Sequence, residues 1–348
     1  MKMVDVQGLT TNKVNTQNGA MVNAKVDNEA IEGSGITVLS LFDGISCGRQ
    51  ALKELGIKID NYYASEIDKY AIDVALKNHS DIIELGDVEK WREWDLDWNS
   101  IDLIIGGSPC QGFSFCGKKL YFEDVRSKLI FCFIDILNHV KSVNPNVRFL
   151  LENVKMNKRC KELIDLCLGV KGVQINSNLF SAQNRNRIYW TNLSIAELPS
   201  GNGTVLKDII EEDADDEPKL YLTKRHLGGF LKSYKWKPNL LTEKSMPLLA
   251  SYHKQPPHCP YIPRKRKLGI GEYSDYRRLS PTECERLQTL PIGYTEKGAS
   301  GNAISDSQRY KMIGNGWTVG AVKHIFSSLK AVKCDIGYKT VINEENFN

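Results

Sequence analysis

Short apolar runs alternate with amphipathic stretches over the first two thirds of the chain, and this alternation predicts the fold class. Apolar residues recur at helical spacing between residues 126 and 143, whereas the runs around this stretch are too short to be helices. Strands that alternate with helices form βαβ units, which predicts an α/β fold with a mostly parallel, doubly wound sheet. Six runs are predicted to be its strands: 36–42, 61–67, 82–88, 101–107, 148–154 and 185–192.

Changes in composition divide the chain into five predicted segments. The ends are polar and lack apolar periodicity, so we expect the first of them to be a disordered tail. The sequence "SPTECERLQTL" has a serine cap, a proline and a glutamate where a helix begins, and "GWTVGAVKHIFSSLK" (316–330) predicts a final helix. The segments are a tail (1–34), the strand–helix unit (35–218), a basic segment (219–278), a returning segment (279–330) and a polar tail (331–348).

The basic segment changes the expectation about partners. The formal net charge is only +4, but residues 219–278 contain 14 Lys and Arg against 3 Asp and Glu, together with eight aromatic residues. Basic residues interleaved with aromatic ones suit a polyphosphate with stackable bases, so nucleic acid is the predicted partner. A solvated lysine-rich surface is the alternative.

Cysteine usage and hydropathy exclude other classes of protein. The nine cysteines form no CxxC pair, which argues against a disulfide framework or a zinc ribbon and favours a reducing compartment. No apolar run approaches the roughly 18 residues that a membrane span requires. The first twenty residues lack the apolar core of a signal peptide, so no export is expected.

Glycines and carboxylates follow the first three predicted strands. "LFDGISCG" places Gly44 and Gly48 in the first strand–helix turn. Glu66 ends the second strand, where an acid can bind the two hydroxyls of a ribose, and Asp87 ends the third, where it can accept a bond from an adenine amino group. Each acid alone can equally be a helix cap. Together they predict a nucleoside-bearing cofactor.

A thiol, a carboxylate and two arginines follow the later strands. "GGSPC" delivers Cys110, "ENV" delivers Glu152, and "QNRNR" supplies Arg185 and Arg187, which are predicted to face the same side of a strand. Because the carboxyl ends of parallel strands meet at one edge, these groups should converge. Arginine favours the reactive thiolate form of cysteine. The segment 111–125 is predicted to form a mobile lid.

The ordered motifs resemble the cytosine carbon-5 DNA methyltransferases, which use S-adenosylmethionine. The resemblance rests on "LFDGISCG", "SEID", "GDV", "GGSPCQGFS", "LLENV", "QNRNR", "RRLSPTECERLQTLP" and "IGNGWTV", and covers roughly residues 36–330 outside the basic segment. It implies a Rossmann-like methyltransferase domain at 35–218, completed by 279–330, and a smaller target recognition domain at 219–278. It further implies double-stranded DNA as partner, no membrane, no obligate protein partner, and a cytoplasmic, nucleoid-associated location in a bacterial or phage-infected cell.

The resemblance also implies a role for each site residue. Cys110 would attack carbon 6 of a flipped-out cytosine, Glu152 would hold ring nitrogen 3 and the amino group, Arg187 would grip the carbonyl, and Arg185 would support the site. Asn315 and Trp317 would close the cofactor pocket, and no metal is implied. The remaining implied cofactor contacts are Phe42, Asp43, Gly44, Ile45, Glu66, Ile67, Asp87 and Val88.

Three alternatives stay open on the sequence. A tRNA cytosine methyltransferase would use the same chemistry, although the "CFT" signature of that branch is absent. A non-catalytic DNA-binding relative would tend to lose the nucleophile, the glutamate or the arginines, all of which are retained. His253, His258 and Cys259 suggest a zinc site but lack a fourth ligand at suitable spacing. The DNA sequence recognised and any paired restriction enzyme cannot be read from the chain.

Overall fold

The computed structural model describes residues 35–109, 128–233, 238–263 and 273–331. Several predictions therefore fall outside the described residues. These are the disordered tail (1–34), the nucleophile Cys110, the lid (111–125) and the polar tail after residue 331.

A seven-stranded sheet forms the centre of the molecule. Its strand order is β3-β2-β1-β4-β5-β7-β6, and every neighbouring pair is parallel except the two that involve β7. The predicted α/β class with a mostly parallel sheet is thus confirmed. The third strand is shorter than predicted because Gly86 turns the chain at φ +75°. The strands are β1 Ile36–Leu41, β2 Ile59–Ser65, β3 Ile82–Glu84, β4 Leu103–Gly107, β5 Arg148–Val154, β6 Val173–Asn176 and β7 Asn186–Thr191.

Helices cover both faces of this sheet. Side chains alternate along each strand, so Val38 packs into one apolar layer with α1, α2 and α8, while Leu39 packs into a second layer with α3 and α4. None of the helices in the described residues is long and apolar enough to cross a membrane. The helices are α1 Cys47–Glu54, α2 Lys69–Asn78, α3 Lys128–Val143, α4 Lys158–Leu168, α5 Lys224–Ser233, α6 Pro281–Leu287, α7 Asp306–Asn315, α8 Val319–Phe326 and α9 Ser328–Ala331.

A small antiparallel sheet lies in the basic segment. It has the order β8-β10-β9, with β8 at Tyr221–Thr223, β9 at Tyr261–Pro263 and β10 at Tyr273–Arg278. Its apolar side packs into a third cluster that also contains Leu287 of α6 and Tyr310 of α7. The small sheet therefore shares a core with the returning segment, and the boundaries of a separate recognition domain stay a prediction.

A buried ion triad joins β10 to α6. The side chain of Arg277 is fully buried and its Nε lies 2.6 Å from Oδ1 of Asp215, while its two terminal nitrogens donate to Glu283 at 2.8 and 2.9 Å. Glu283 also accepts from the backbone N–H of Ser280, whose hydroxyl accepts from the N–H of Glu283. The capping box predicted at the start of α6 is confirmed, and its glutamate is held in place by Arg277.

Candidate active site

The carboxyl ends of five adjacent parallel strands form one edge of the main sheet. Because β3, β2, β1, β4 and β5 are neighbours, the residues predicted at their ends lie along a continuous line. Gly107, the last residue of β4, pairs with Glu152 of β5, and Val154 of β5 pairs with Arg187 of the antiparallel β7. The register thus brings the predicted carboxylate next to the strand that precedes the predicted nucleophile.

Glu152 and Arg187 form a buried ion pair. The Nε of Arg187 lies 2.9 Å from Oε1 of Glu152, and both side chains are largely shielded from solvent. Oε2 of the same carboxylate accepts a hydrogen bond of 3.0 Å from the indole Nε1 of Trp317. Oε1 of Glu152 is therefore in an ion-pair contact and Oε2 in a hydrogen bond, so both carboxylate oxygens are held within the site.

Arg185 lies close to this pair but has different partners. Its terminal nitrogens donate to the carbonyl oxygens of Leu248 at 2.8 Å, Gly314 at 3.1 Å and Gly316 at 3.0 Å. The prediction that both arginines belong to one strand is wrong, because β7 begins one residue after Arg185. Burial, followed by the charge of Arg187, lowers the pKa of Arg185 to about 9, so it is still a cation at neutral pH. It links the backbone at Leu248 to the backbone at Gly314 and Gly316.

The chain that leads to Cys110 is anchored at its start. Cys110 itself lies outside the described residues. Two positions before it, the backbone oxygen and the hydroxyl of Ser108 both accept from the amide Nδ2 of Asn153, at 3.3 and 3.0 Å. Asn153 follows Glu152 on β5, so one strand carries both the carboxylate and this anchor. Sequence reasoning missed Asn153, although it stands in the "ENV" motif.

The turn after β1 is strained at two positions. Phe42, Gly44 and Ser46 all have positive φ, of 58°, 59° and 58°. Only the glycine adopts this conformation without steric cost. Ile45, between them, is 1% exposed, and its carbonyl accepts from the hydroxyl of Tyr294 at 2.9 Å. The turn is therefore held by packing beneath it, with its backbone at the edge of the sheet.

The side chain of Asp43 in this turn is hydrogen-bonded to other groups of the protein. Its carboxylate accepts from the hydroxyls of Ser40 at 2.5 Å, of Tyr62 at 2.8 Å and of Ser46. Burial raises its pKa to about 6, although the three hydroxyl groups act in the opposite direction. Its side chain thus binds the protein, and its predicted contact with the cofactor stays a prediction.

Glu66 connects the first two strand ends. One carboxylate oxygen accepts from the backbone N–H of Gly44 at 2.8 Å. The other accepts from the N–H groups of Ile67 and Asp68 at 2.8 and 2.9 Å. The adjacent Ile67 side chain is 75% exposed, an unusual position for a large apolar residue. An acid and an exposed apolar side chain stand together at the end of β2.

Asp87 and Val88 lie just after β3, which ends at Glu84, so the prediction that Asp87 ends the third strand is wrong by three residues. Asp87 caps the 3-10 helix Val88–Glu93, accepting from the N–H of Glu89 at 3.0 Å with one carboxylate oxygen. The cap interpretation weighed for this acid therefore applies, and it leaves the second oxygen available for another partner. The Val88 side chain is buried in the core beneath.

Glu84 is a carboxylate that sequence reasoning missed. It is the last residue of β3, and neither of its shielded carboxylate oxygens has a hydrogen-bond partner in the described part of the chain. Burial, with the charges of Asp43 and Glu66, raises its pKa to about 7. No sequence signal distinguished it, because "IIELGDV" reads as one continuous strand.

The returning segment reaches both parts of the site. Asn315 is exposed at the end of α7. Trp317 is 9% exposed and packs so closely on two glycines that a Cβ at Gly48 or Gly107 would lie 3.3 or 2.7 Å from its ring. Its indole N–H is bonded to Glu152, so Trp317 contacts the Glu152–Arg187 pair as well as the turn after β1.

The remaining candidate ligands form no metal centre. In the described ranges, no group of three or more His, Cys, Asp and Glu side chains could hold a metal ion. Burial raises the pKa of Cys259 and of Cys47 to about 12, so both thiols are unreactive packing residues. Cys167, by contrast, is exposed.

The architecture is that of an α/β, Rossmann-like methyltransferase. A DNMT2 variant from Spodoptera frugiperda has a TM-score of 0.60 at 22% identity and covers 85% of this chain and 99% of its own. The methyltransferase EhMeth from Entamoeba histolytica has a TM-score of 0.66 at 14% identity and covers 86% and 98%. At these identities the likeness shows the fold.

The family follows from the sequence match. The model of the C-5 cytosine-specific DNA methylases matches residues 36–331, and the chain belongs to this family of enzymes. The type II methyltransferase M1.ScrFI from Lactococcus lactis subsp. cremoris is 29% identical over 328 residues, 85% of this chain and 78% of that protein. The orphan methyltransferase M.Rho11sI of Bacillus phage rho11s is 37% identical over 169 residues, 45% of this chain and only 32% of that protein. The predicted family is confirmed, and the chain spans about a third of the phage relative.

Proposed function

We propose that this chain is a DNA cytosine-C5 methyltransferase that transfers a methyl group from S-adenosylmethionine to carbon 5 of a cytosine flipped out of duplex DNA. The observation that carries the proposal is the buried Glu152–Arg187 pair, with an Nε–Oε1 distance of 2.9 Å, beside the end of β4. Cys110 follows that strand end by three residues. A thiolate, a carboxyl group and a guanidinium are the groups needed to activate a pyrimidine ring.

Each residue has a distinct part in the proposed reaction. The Cys110 sulfur forms a bond to carbon 6, which makes carbon 5 nucleophilic. One carboxyl oxygen of Glu152 accepts a hydrogen bond from the cytosine amino group, and the carboxyl group shares a proton with ring nitrogen 3, which stabilises the negative charge that enters the ring when the sulfur adds. Arg187 binds the cytosine carbonyl. Once carbon 5 carries the methyl group, its proton passes to water, the bond between carbon 6 and sulfur breaks, and the ring becomes aromatic again with release of the thiolate. Flipping the base costs a few kcal/mol of unstacking, which DNA contacts must offset.

The edge formed by β1, β2 and β3 suits the proposed cofactor, which supplies an electrophilic methyl group. A Cβ built on Gly44 or on Gly86 meets no atom within 4 Å, so space is open beside both turns. Glu66 would hold the ribose hydroxyls and Asp87 the adenine amino group, using lone pairs that their capping bonds leave free. Ile67 would cover one side of the base.

The proposed substrate is duplex DNA. Helix α5 in the basic segment exposes Lys224, Arg225 and Lys232, and Lys254 is exposed in the same segment. Cations at this density attract the phosphate backbone and make binding sensitive to salt. They carry no information on the sequence recognised.

Methyl transfer from labelled S-adenosylmethionine tests the proposal. The wild-type protein, Cys110→Ala and the matched control Cys167→Ala, which removes an exposed thiol, are incubated with duplex DNA or with tRNA. We expect label on carbon 5 of cytosine in DNA from the wild type and the control, and none from Cys110→Ala. Label on tRNA alone would establish the RNA alternative. Label transferred by Cys110→Ala would exclude the assigned nucleophile, and a folded protein that labels neither substrate would be a non-catalytic relative.

A further inference from the structure

We infer that Trp317 is a positioning residue for Glu152, acting through the hydrogen bond from its indole N–H to Oε2. This inference rests on the proposed function, because it assigns Trp317 a role in the catalytic step in addition to any role in the cofactor pocket. The donor–acceptor distance is 3.0 Å and the two residues are 165 positions apart in the chain. Both are buried, so water does not compete for this bond.

An ion-pair contact on one oxygen and a hydrogen bond on the other fix a carboxylate more completely than the ion pair alone. Arg187 reaches Glu152 through Nε at Oε1, and its terminal NH1 donates to the carbonyl of Asn186 instead. Arg187 therefore does not form the bidentate contact that would hold both oxygens alone. Without the second donor, the carboxylate could rotate about its last bond. Trp317 supplies that donor and thereby sets the plane in which Glu152 meets the cytosine ring.

Trp317 is itself held rigidly. The carbonyl of the preceding Gly316 accepts from Arg185 at 3.0 Å and from Nε2 of Gln288 at 3.2 Å. The indole lies against the backbone of Gly107, where an added Cβ would lie 2.7 Å from Nε1 and 3.0 Å from Oε2 of Glu152. Any side chain larger than hydrogen at residue 107 must displace the pair. The position of the indole N–H is thus fixed by the hydrogen bonds to the Gly316 carbonyl and by the contact with Gly107.

The fully buried Trp190 provides a matched control. Its Nε1 donates to Oδ1 of Asp165 at 2.6 Å, in the apolar layer on the opposite face of the sheet. Trp317→Phe and Trp190→Phe each remove an indole N–H bond to a carboxylate and replace the indole by the smaller phenyl ring. A purely structural role for Trp317 predicts that both variants behave alike.

Kinetics distinguish positioning from packing. Because Trp317→Phe removes a hydrogen bond to a charged group, it should lower kcat for DNA methylation by at least about tenfold. The KM for S-adenosylmethionine should change by less than about threefold, since a phenyl ring still fills most of the space of the indole. Trp190→Phe should keep the wild-type kcat. In a Glu152→Gln background, Trp317→Phe should have little further effect, because its action passes through that carboxylate.

A spectroscopic measurement tests the bond without requiring activity. The indole N–H resonance of Trp317, assigned by its loss in Trp317→Phe, should move upfield in Glu152→Gln, while that of Trp190 stays in place. An unmoved Trp317 resonance would overturn the inference whether or not the protein methylates DNA. An active enzyme with wild-type kcat in Trp317→Phe, a raised cofactor KM alone, or independent effects of Trp317→Phe and Glu152→Gln would overturn it too. An inactive wild type with a shifted resonance would instead count against the proposed function. Should Trp317→Phe fail to fold, Gly107→Ala displaces the same pair from the backbone side and should lower kcat and move the resonance.

Discussion

The carboxylate of Glu84 makes stability depend on pH in a direction opposite to that of most acidic residues. It ends β3 without a hydrogen-bond partner in the described residues, and the charges of Asp43 and Glu66 face it. Burial is the largest cause of its raised pKa, and the two neighbouring carboxylates add to it. Replacing Glu84 by Gln removes the titrating group and keeps the size of the side chain.

The direction and the size of the effect on stability follow from the raised pKa of Glu84. The folded pKa of about 7 exceeds the ordinary value of 4.5, so the folded protein binds the proton more tightly than the unfolded chain. The free energy of unfolding of the wild type therefore falls as pH rises from 4.5 to about 7, and the full loss of stability is present above pH 7. A fully shielded group would lose about 3 kcal/mol. Because the residue is only half-buried, screening by solvent reduces this to about 1–2 kcal/mol.

Urea unfolding of the wild type and Glu84→Gln between pH 5 and pH 8 measures this effect. The stability of the variant relative to the wild type should rise by about 1–2 kcal/mol across the window and level off above it. Glu197→Gln, which neutralises an exposed carboxylate, provides the baseline for removing one charge. A pH-independent difference between Glu84→Gln and the wild type, or one that falls with pH, would refute the reasoning.

Three further substitutions test other parts of the molecule. Arg187→Lys keeps the charge but loses the planar guanidinium, so kcat for methylation should fall by about 10- to 100-fold, and an unchanged kcat would contradict the proposed contact of Arg187 with the cytosine carbonyl. Arg277→Met leaves two buried carboxylates without a cation and should cost about 3–5 kcal/mol in urea unfolding, whereas a loss below about 1 kcal/mol would show that the triad is dispensable. The double change of Lys224 and Arg225 to Gln should reduce the slope of log K against log salt for DNA binding by up to about 1.8, and an unchanged slope would place the DNA elsewhere.

The main sheet could be predicted because its strands are buried on both faces. Their continuous apolar runs stand out from the amphipathic stretches between them. The edge strand β6 was missed, since Val173 and Gln174 are exposed and no apolar run marks it. Helix α4 was also missed, although Asn157 caps its start and Gly169 ends it in the left-handed conformation, two signals that the sequence does contain.

The sequence predicts only those site residues whose position follows from where a strand ends. Glu66, Asp87 and Glu152 lie at the expected edge because parallel strands end together. The partners of Arg185 are three carbonyl groups from distant segments, and no local pattern encodes which oxygens a buried guanidinium will reach. The isolation of Glu84 depends in the same way on what packs around it. Such features follow from tertiary packing, which spacing along the chain does not reveal.

Gly107 shows how one sequence feature admits two physical explanations. Its place in "GGSPC" indicates that a flat ring must approach the backbone, and a substrate base is the ring that the motif suggests. The ring that lies against Gly107 in the structure is the indole of Trp317, in contact with Glu152. A glycine required by a substrate would tolerate alanine until the substrate binds. If the glycine is required by the indole, Gly107→Ala must already disturb the free protein, because the added methyl group displaces the Trp317–Glu152 bond before any DNA is present.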